Sequence, residues 1–272
     1  MAQLFPALNN CLSKMTSGEK KLAQAFSQLL EDDYICWYDV PLGPKNRHPD
    51  FVVLNPRRGL LLLEVKDWKL ENIKEINRIS ASLITSNGLK TTVNPLEQAR
   101  AYIQDIVNQL EKDPVLTQQG RYQGKLCFAW GYGAVLSNIT RAQLEKETDL
   151  HLAISPSQVI CKDELSPDQD AEVFQQRLWN MFTVNFNRVM SLPEIDRVRW
   201  HLFPEIRLSG QMSLLAEAEN SEDLSEAIPD IIRVMDLQQE QVARNLGDGH
   251  RVIHGVAGSG KTMILAYRCA QL

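Results

Sequence analysis

The chain has 272 residues with 29 Lys and Arg against 34 Asp and Glu, a net charge of −5, and 44% hydrophobic against 23% charged residues. This is an ordinary soluble globular composition, long enough for one large domain or two small ones. No run approaches the roughly 20 apolar residues of a membrane span, and the negative balance requires any nucleic-acid surface to be local, for example Arg57, Arg58, Lys66 and Lys69. The N-terminus, Met1-Ala2-Gln3-Leu4-Phe5-Pro6, has no basic region followed by an apolar one, so no signal peptide is expected. Five scattered cysteines (Cys11, Cys36, Cys127, Cys161, Cys269) without a C-x-x-C spacing argue for reduced thiols in a cytoplasm, and against a zinc or disulfide framework.

The first helix is predicted from Thr16 to about Leu30. Thr16 with Glu19 fits a capping box, and Leu22, Phe26, Leu29 and Leu30 form one stripe. Glu19 borders that buried face, so it is either a helix-capping glutamate or an acid that reaches a functional site; one residue can do both. Residues 34–41 (YICWYDVP) read as a strand, and 43–49 as a polar, basic loop.

The stretch 49–68, PDFVVLNPRRGLLLLEVKDW, organises the rest. Phe51-Val52-Val53-Leu54 and Leu60-Leu61-Leu62-Leu63 are short apolar runs bounded by turn residues, hence two buried strands joined by residues 55–59. Alternation puts Glu64 and Lys66 on one face. Asp50 leads the first strand and lies beside Glu64 at the open end of the hairpin. Two carboxylates and a lysine then meet at the end of an apolar sheet, where charge must be paired or bind a metal. The ordinary alternative is an Asp–Lys or Glu–Lys ion pair at a strand end.

Residues 68–92 are mixed, with a polar hairpin at Asn87-Gly88. Asn94 is an N-cap, Pro95 opens a helix, and Ala99, Tyr102, Ile103, Ile106 and Leu110 point inward. Gln98 and Tyr102, four apart, share a face and could hold a phosphate or a water; the alternative is a surface Gln and a core Tyr. Residues 125–136 (KLCFAWGYGAVL) read as a central strand bulged near its glycines, 137–146 as a short capped helix, and 157–163 as a further strand. Residues 170–186 read as a helix with Val173, Leu178, Trp179 and Phe182 inward. Helices flanking a mixed β-sheet give an α/β (α+β) domain over 1–190. An acidic, Ser/Ala-rich linker lies within 191–235.

Residues 236–272 carry a second motif. Gly255-Val256-Ala257-Gly258-Ser259-Gly260-Lys261-Thr262 matches G-x-x-x-x-G-K-[ST], between the short strand Arg251-Val252-Ile253-His254 and an apolar helix. In that context Gly255, Gly258 and Gly260 let the backbone curl round a phosphate, Lys261 reaches the β- and γ-phosphates of ATP, and Thr262 binds Mg²⁺. Only ten residues follow, so the strand is expected to lack its sheet neighbours, ATP binding to be weak or lost, and ATP hydrolysis by this chain alone is not expected.

Gly18-Glu19, Pro49-Asp50, Glu64-Val65-Lys66 and Gln98-Ala99-Arg100-Ala101-Tyr102, in that order, resemble the NERD (nuclease-related) domain, a branch of the PD-(D/E)xK nuclease superfamily. The resemblance implies a restriction-endonuclease-like core and a nuclease acting on single- or double-stranded DNA. Asp50, Glu64 and the Val65 carbonyl would hold Mg²⁺ or Mn²⁺. Glu19 would orient metal-bound water or a second ion, Lys66 would position the nucleophile or stabilise charge on phosphorus, and Gln98 and Tyr102 would hold the substrate phosphate. Leu237-Gln238-Gln239-Glu240-Gln241 resembles the Q motif of UvrD-like superfamily 1 helicases, which implies that Gln241 reads adenine. Two alternatives remain beside the nuclease: a non-catalytic DNA-binding module that docks a helicase, and a nucleotide-binding fragment.

Overall fold

A computed structural model describes residues 2–39, 47–166, 168–182, 184, 186–202, 205–208 and 252–255. The chain divides into two compact units, Met1–Val198 and Arg199–Leu272.

The first unit is built on the hairpin of β3 (Phe51–Asn55) and β4 (Gly59–Lys66), paired antiparallel from Phe51↔Leu63 to Asn55↔Gly59. Both strands are apolar without alternation because both faces of the sheet are covered. Asn55 Oδ1 accepts the Arg57 and Arg58 N–H groups at 2.9 and 3.1 Å, which fixes the turn. Gly59 closes it at φ +107°, and a Cβ there would strike the Ala129 carbonyl. β2 (Ile35–Tyr38) pairs antiparallel with β3, and β1 (Gln3–Phe5) runs parallel to β2. On the other side β8 (Trp130–Leu136) runs parallel to β4, and β9 (Val159–Cys161) parallel to β8. The mixed six-stranded order is β1-β2-β3-β4-β8-β9.

Helices cover both faces. After the short α1 (Leu8–Cys11), α2 (Ser17–Leu29) packs Leu22 and Phe26 against Phe51, Leu63 and Val135, joined by Phe174 and Leu178 of α6 (Ala171–Trp179). Phe26 meets Phe51 edge to face with ring centres 5.4 Å apart. On the opposite face α3 (Pro95–Leu110) places Leu96 with Ala134 and Leu136 of β8, beside α4 (Arg141–Lys146) and α5 (Thr148–Ala153). The buried Asn94 caps α3 through Leu96 N–H (2.9 Å) and donates to the Asn77 and Ala153 carbonyls. Between β4 and α3 lies a three-stranded antiparallel meander, β5 (Ile73–Ile76), β6 (Ser80–Thr85) and β7 (Gly88–Val93). It turns at Asn87-Gly88, where Gly88 has φ +100°. α7 (Leu192–Leu202) follows α6. Among the described residues no helix is long and apolar enough to cross a membrane.

Several boundaries differ from the sequence expectation. β8 starts at Trp130 rather than 125, because residues 117 and 126 bridge to each other first. Its register with β4 is unbroken, so Gly131 and Gly133 make no bulge. They are small because Met181 and the Gln158 carbonyl lie where a Cβ would stand. The helix expected over 137–146 begins at Arg141, since Ser137 and Asn138 bond to residues 66 and 67. α6 ends at Trp179 rather than near 186, where Phe182 bridges to Gly131. Phe174, not the half-exposed Val173, takes its inward position.

In the second unit, β10 (Glu205–Leu208) pairs in parallel with β11 (Val252–Gly255). The strand before the glycine-rich motif therefore has a parallel neighbour, contrary to expectation.

Candidate active site

The last ladder pair of the hairpin, Phe51↔Leu63, places Asp50 across from Glu64 at the open end of the sheet. Asp50 Oδ2 accepts the Val65 N–H at 2.6 Å. Within a strand the N–H and C=O of one residue point to the same side, so the Val65 carbonyl is directed toward Asp50 as well. Glu64 is 1% exposed. Its Oε2 lies 3.1 Å from Lys66 Nζ, while its buried Oε1 meets no N–H or hydroxyl donor, and only a proton shared between the Asp50 and Glu64 carboxyls can link the two groups by a hydrogen bond. The Glu–Lys ion pair of the ordinary alternative is therefore present, but it satisfies only one oxygen of Glu64 and none of Asp50.

Burial raises the Asp50 carboxyl above its ordinary value, against the lowering pull of the Val65 N–H and of Lys66. Burial, then the Asp50 charge, raises Glu64 to about 8, and Lys66 only partly offsets this. Each of two carboxylates so placed disfavours ionisation of the other, and the Lys66 charge relieves this only in part. A proton, or a hard cation, is the species that completes Glu64 Oε1.

Glu19 reaches the same end of the sheet from the α2 face. Its Oε2 closes the capping box with the Thr16 N–H (3.0 Å) and accepts the Tyr38 O–H (2.8 Å), and its charge contributes to raising Asp50. The residue is both cap and site neighbour. Tyr38 is itself pushed well above its ordinary value by burial and by the bond to Glu19.

Residues 14–129 match the family model of NERD, the nuclease-related domain. The matched segment includes Glu19, Asp50, Glu64, Lys66, Gln98 and Tyr102, whereas β8 and β9, which complete the sheet, lie beyond it. A search of curated proteins and one of solved structures returned no significant match.

The matched segment brings a second layer to the site. Glu64 and Lys66 pair with Ala134 and Leu136, so they share the sheet face that α3 covers. On α3, the half-buried Gln98 Nε2 donates to Tyr102 Oη at 3.3 Å. Three residues near this end escaped the sequence reading. Arg47 lies 5.0 Å from the centre of the Tyr102 ring, with its Nε 2.8 Å from Asp105 Oδ2. Tyr38 holds Glu19, and Asp67 binds the start of α2. Only Tyr38 left a signal, the two-residue alternation that places it on the α2 face with Cys36.

As for a metal, the donors are hard oxygens of Asp50, Glu64 and the Val65 carbonyl, a set that suits Mg²⁺ or Mn²⁺. Among the described residues no group of three or more His, Cys, Asp or Glu converges as ligands. The fit therefore rests on the two carboxylates and the unpartnered Glu64 Oε1.

The suggested basic surface is not one patch. Arg57 and Arg58 sit at the turn of the hairpin, and Lys66 closes the far end of β4, about 23 Å away at strand rise. Arg58 instead stacks on Trp179, 3.9 Å from its ring centre. Gln241, Gly258, Gly260, Lys261 and Thr262 lie outside the described residues, and Gly255 is described only as the last backbone position of β11.

Proposed function

We propose that the NERD domain is a nuclease of PD-(D/E)xK type that cleaves DNA phosphodiester bonds with Mg²⁺ or Mn²⁺, and that residues 236–272 begin a superfamily 1 helicase module. The observation that carries the first part is the buried carboxylate pair with one oxygen left without a partner. Asp50, Glu64 and the Val65 carbonyl would hold the ion, which when bound neutralises charge on a phosphoryl oxygen and acidifies water.

The remaining work falls to side chains. Lys66 Nζ spends one donor on Glu64 and keeps two for the substrate, where it positions the attacking water or stabilises charge developing on phosphorus. Glu19, held by Tyr38 and Thr16, orients the water. Tyr102 Oη accepts from Gln98, which leaves its own proton to donate to a substrate phosphate.

Mn²⁺ titration and DNA cleavage of Asp50→Asn and Glu64→Gln test this reading. Loss of metal binding and of cleavage in both is expected. Metal-dependent cleavage at the wild-type rate by Glu64→Gln would overturn it.

For the second module, the parallel partner of β11 supports a P-loop strand, with Gln241 on adenine and Lys261 and Thr262 on phosphate and Mg²⁺. ATP binding abolished by Lys261→Ala is the expected result. The Lys66–Glu64 ion pair favours a second reading, a DNA-docking module that does not cut. A DNA gel shift that needs no divalent ion, with no cleavage, is its signature.

A further inference from the structure

Two of the candidate site residues stand next to a polar clamp that has no place in the chemistry itself. Gly18 precedes Glu19 in the first turn of α2, and Asp67 follows Lys66 at the end of β4. Asp67 Oδ2 accepts the Gly18 N–H at 3.2 Å across 49 residues of sequence. Its Oδ1 accepts the hydroxyl of Ser137, which is fully buried. The Asp67 carbonyl accepts from Asn138 Nδ2 (3.0 Å), and the Lys66 carbonyl accepts the Ser137 N–H (3.1 Å). One carboxylate thus joins the start of α2, the end of β4 and the turn after β8.

Gly18 has no side chain because a Cβ there would collide with Asp67 Oδ1 and the Ser137 side chain. The Gly18 N–H is one of the donors that a helix start leaves unpaired. Thr16 already caps the helix locally through the Glu19 N–H. The Asp67 bond therefore adds little to forming α2; it sets where the first turn of α2 lies relative to β4. That turn carries Glu19, and β4 carries Glu64 and Lys66.

We propose that Asp67 is a positioning residue that, with Gly18 and Ser137, holds Glu19 in register with the carboxylate pair. This rests on the nuclease reading for its effect on catalysis, but the placement of Glu19 can be read without any cleavage. Tyr38 donates to Glu19 Oε2, so the ¹³Cζ resonance of Tyr38 in tyrosine-labelled full-length protein reports that contact.

Asp67→Ala is expected to move this resonance toward its position in Glu19→Ala, where Tyr38 has lost its acceptor. With the nuclease active, it should lower kcat about 10²-fold with little change in KM, the size of loss that an ångström of misplacement produces. Asp67→Asn restores both readouts, because its amide oxygen still accepts from Gly18 and Ser137 can turn to accept from its NH₂. In a Glu19→Ala background, Asp67→Ala should cause no further loss. Should Asp67→Ala fail to fold, Ser137→Ala and Gly18→Ala open the same clamp and carry the same test. An unmoved Tyr38 resonance in a folded clamp variant overturns the proposal. If wild type cuts no DNA, the nuclease reading fails, and the Tyr38 resonance still confirms or overturns the placement of Glu19 by Asp67.

Discussion

The Glu64 carboxyl binds a proton in the folded chain over a range in which an unfolded glutamate is ionised, from its ordinary 4.5 up to about 8. The stabilisation it contributes is complete below 4.5 and is lost as pH rises through about 8. The metal-free protein should therefore melt at progressively lower temperature across that window, and Glu64→Gln should flatten the profile. A melting temperature that climbs over the same range would contradict the buried pair. Because a cation must displace that proton, Mn²⁺ affinity should increase with pH and level off above about 8. Asp50, Glu64 and Lys66 were legible in the sequence because strand alternation and a short turn dictate their meeting. Arg47 and Asp67 were not, and strand alternation gave only the face of Tyr38, since the roles of all three come from contacts between segments far apart in the chain. Asp67 to Gly18 is one such contact, and no local pattern announces it.

At the scale of elements, the legible features were those with local chemistry. The Thr16–Glu19 capping box, the Asn94-Pro95 helix start and the Asn87-Gly88 turn all stand where residue type alone put them. Boundaries set by tertiary contact carry no such local signal. The start of β8 depends on a bridge to Thr117, and the end of α6 on Phe182 crossing to Gly131. The β3–β4 turn gives a direct test of what positions the site. Gly59→Ala forces a side chain to φ +107° and into the Ala129 carbonyl, so it should destabilise the fold by about 2 kcal/mol or more in urea denaturation. A change within a few tenths of a kcal/mol would mean that the turn does not fix the hairpin register as described.

For the molecule as a whole, the mixed sheet with helices on both faces was legible from alternating apolar segments. The parallel β10–β11 pair was not, because its strands come from segments about 45 residues apart. Cys11, Cys36, Cys127 and Cys161 are free and buried, and burial pushes Cys161 up to about 12 and Cys36 higher still. In a Cys269→Ser protein all four thiols should resist an aromatic disulfide reagent until denaturant is added, then react together. Fast reaction of any of them in the native state would show that its burial is wrong.

The central claim, that Asp50, Glu64 and Lys66 form a metal-dependent phosphodiesterase site, is tested most directly on end-labelled single- and double-stranded DNA. Wild type and Lys66→Ala are compared with Mg²⁺ or Mn²⁺, alongside Mn²⁺ binding. Metal-dependent products from wild type, absent in Lys66→Ala while Mn²⁺ binding survives, are the predicted result. Cleavage by Lys66→Ala at the wild-type rate would contradict it.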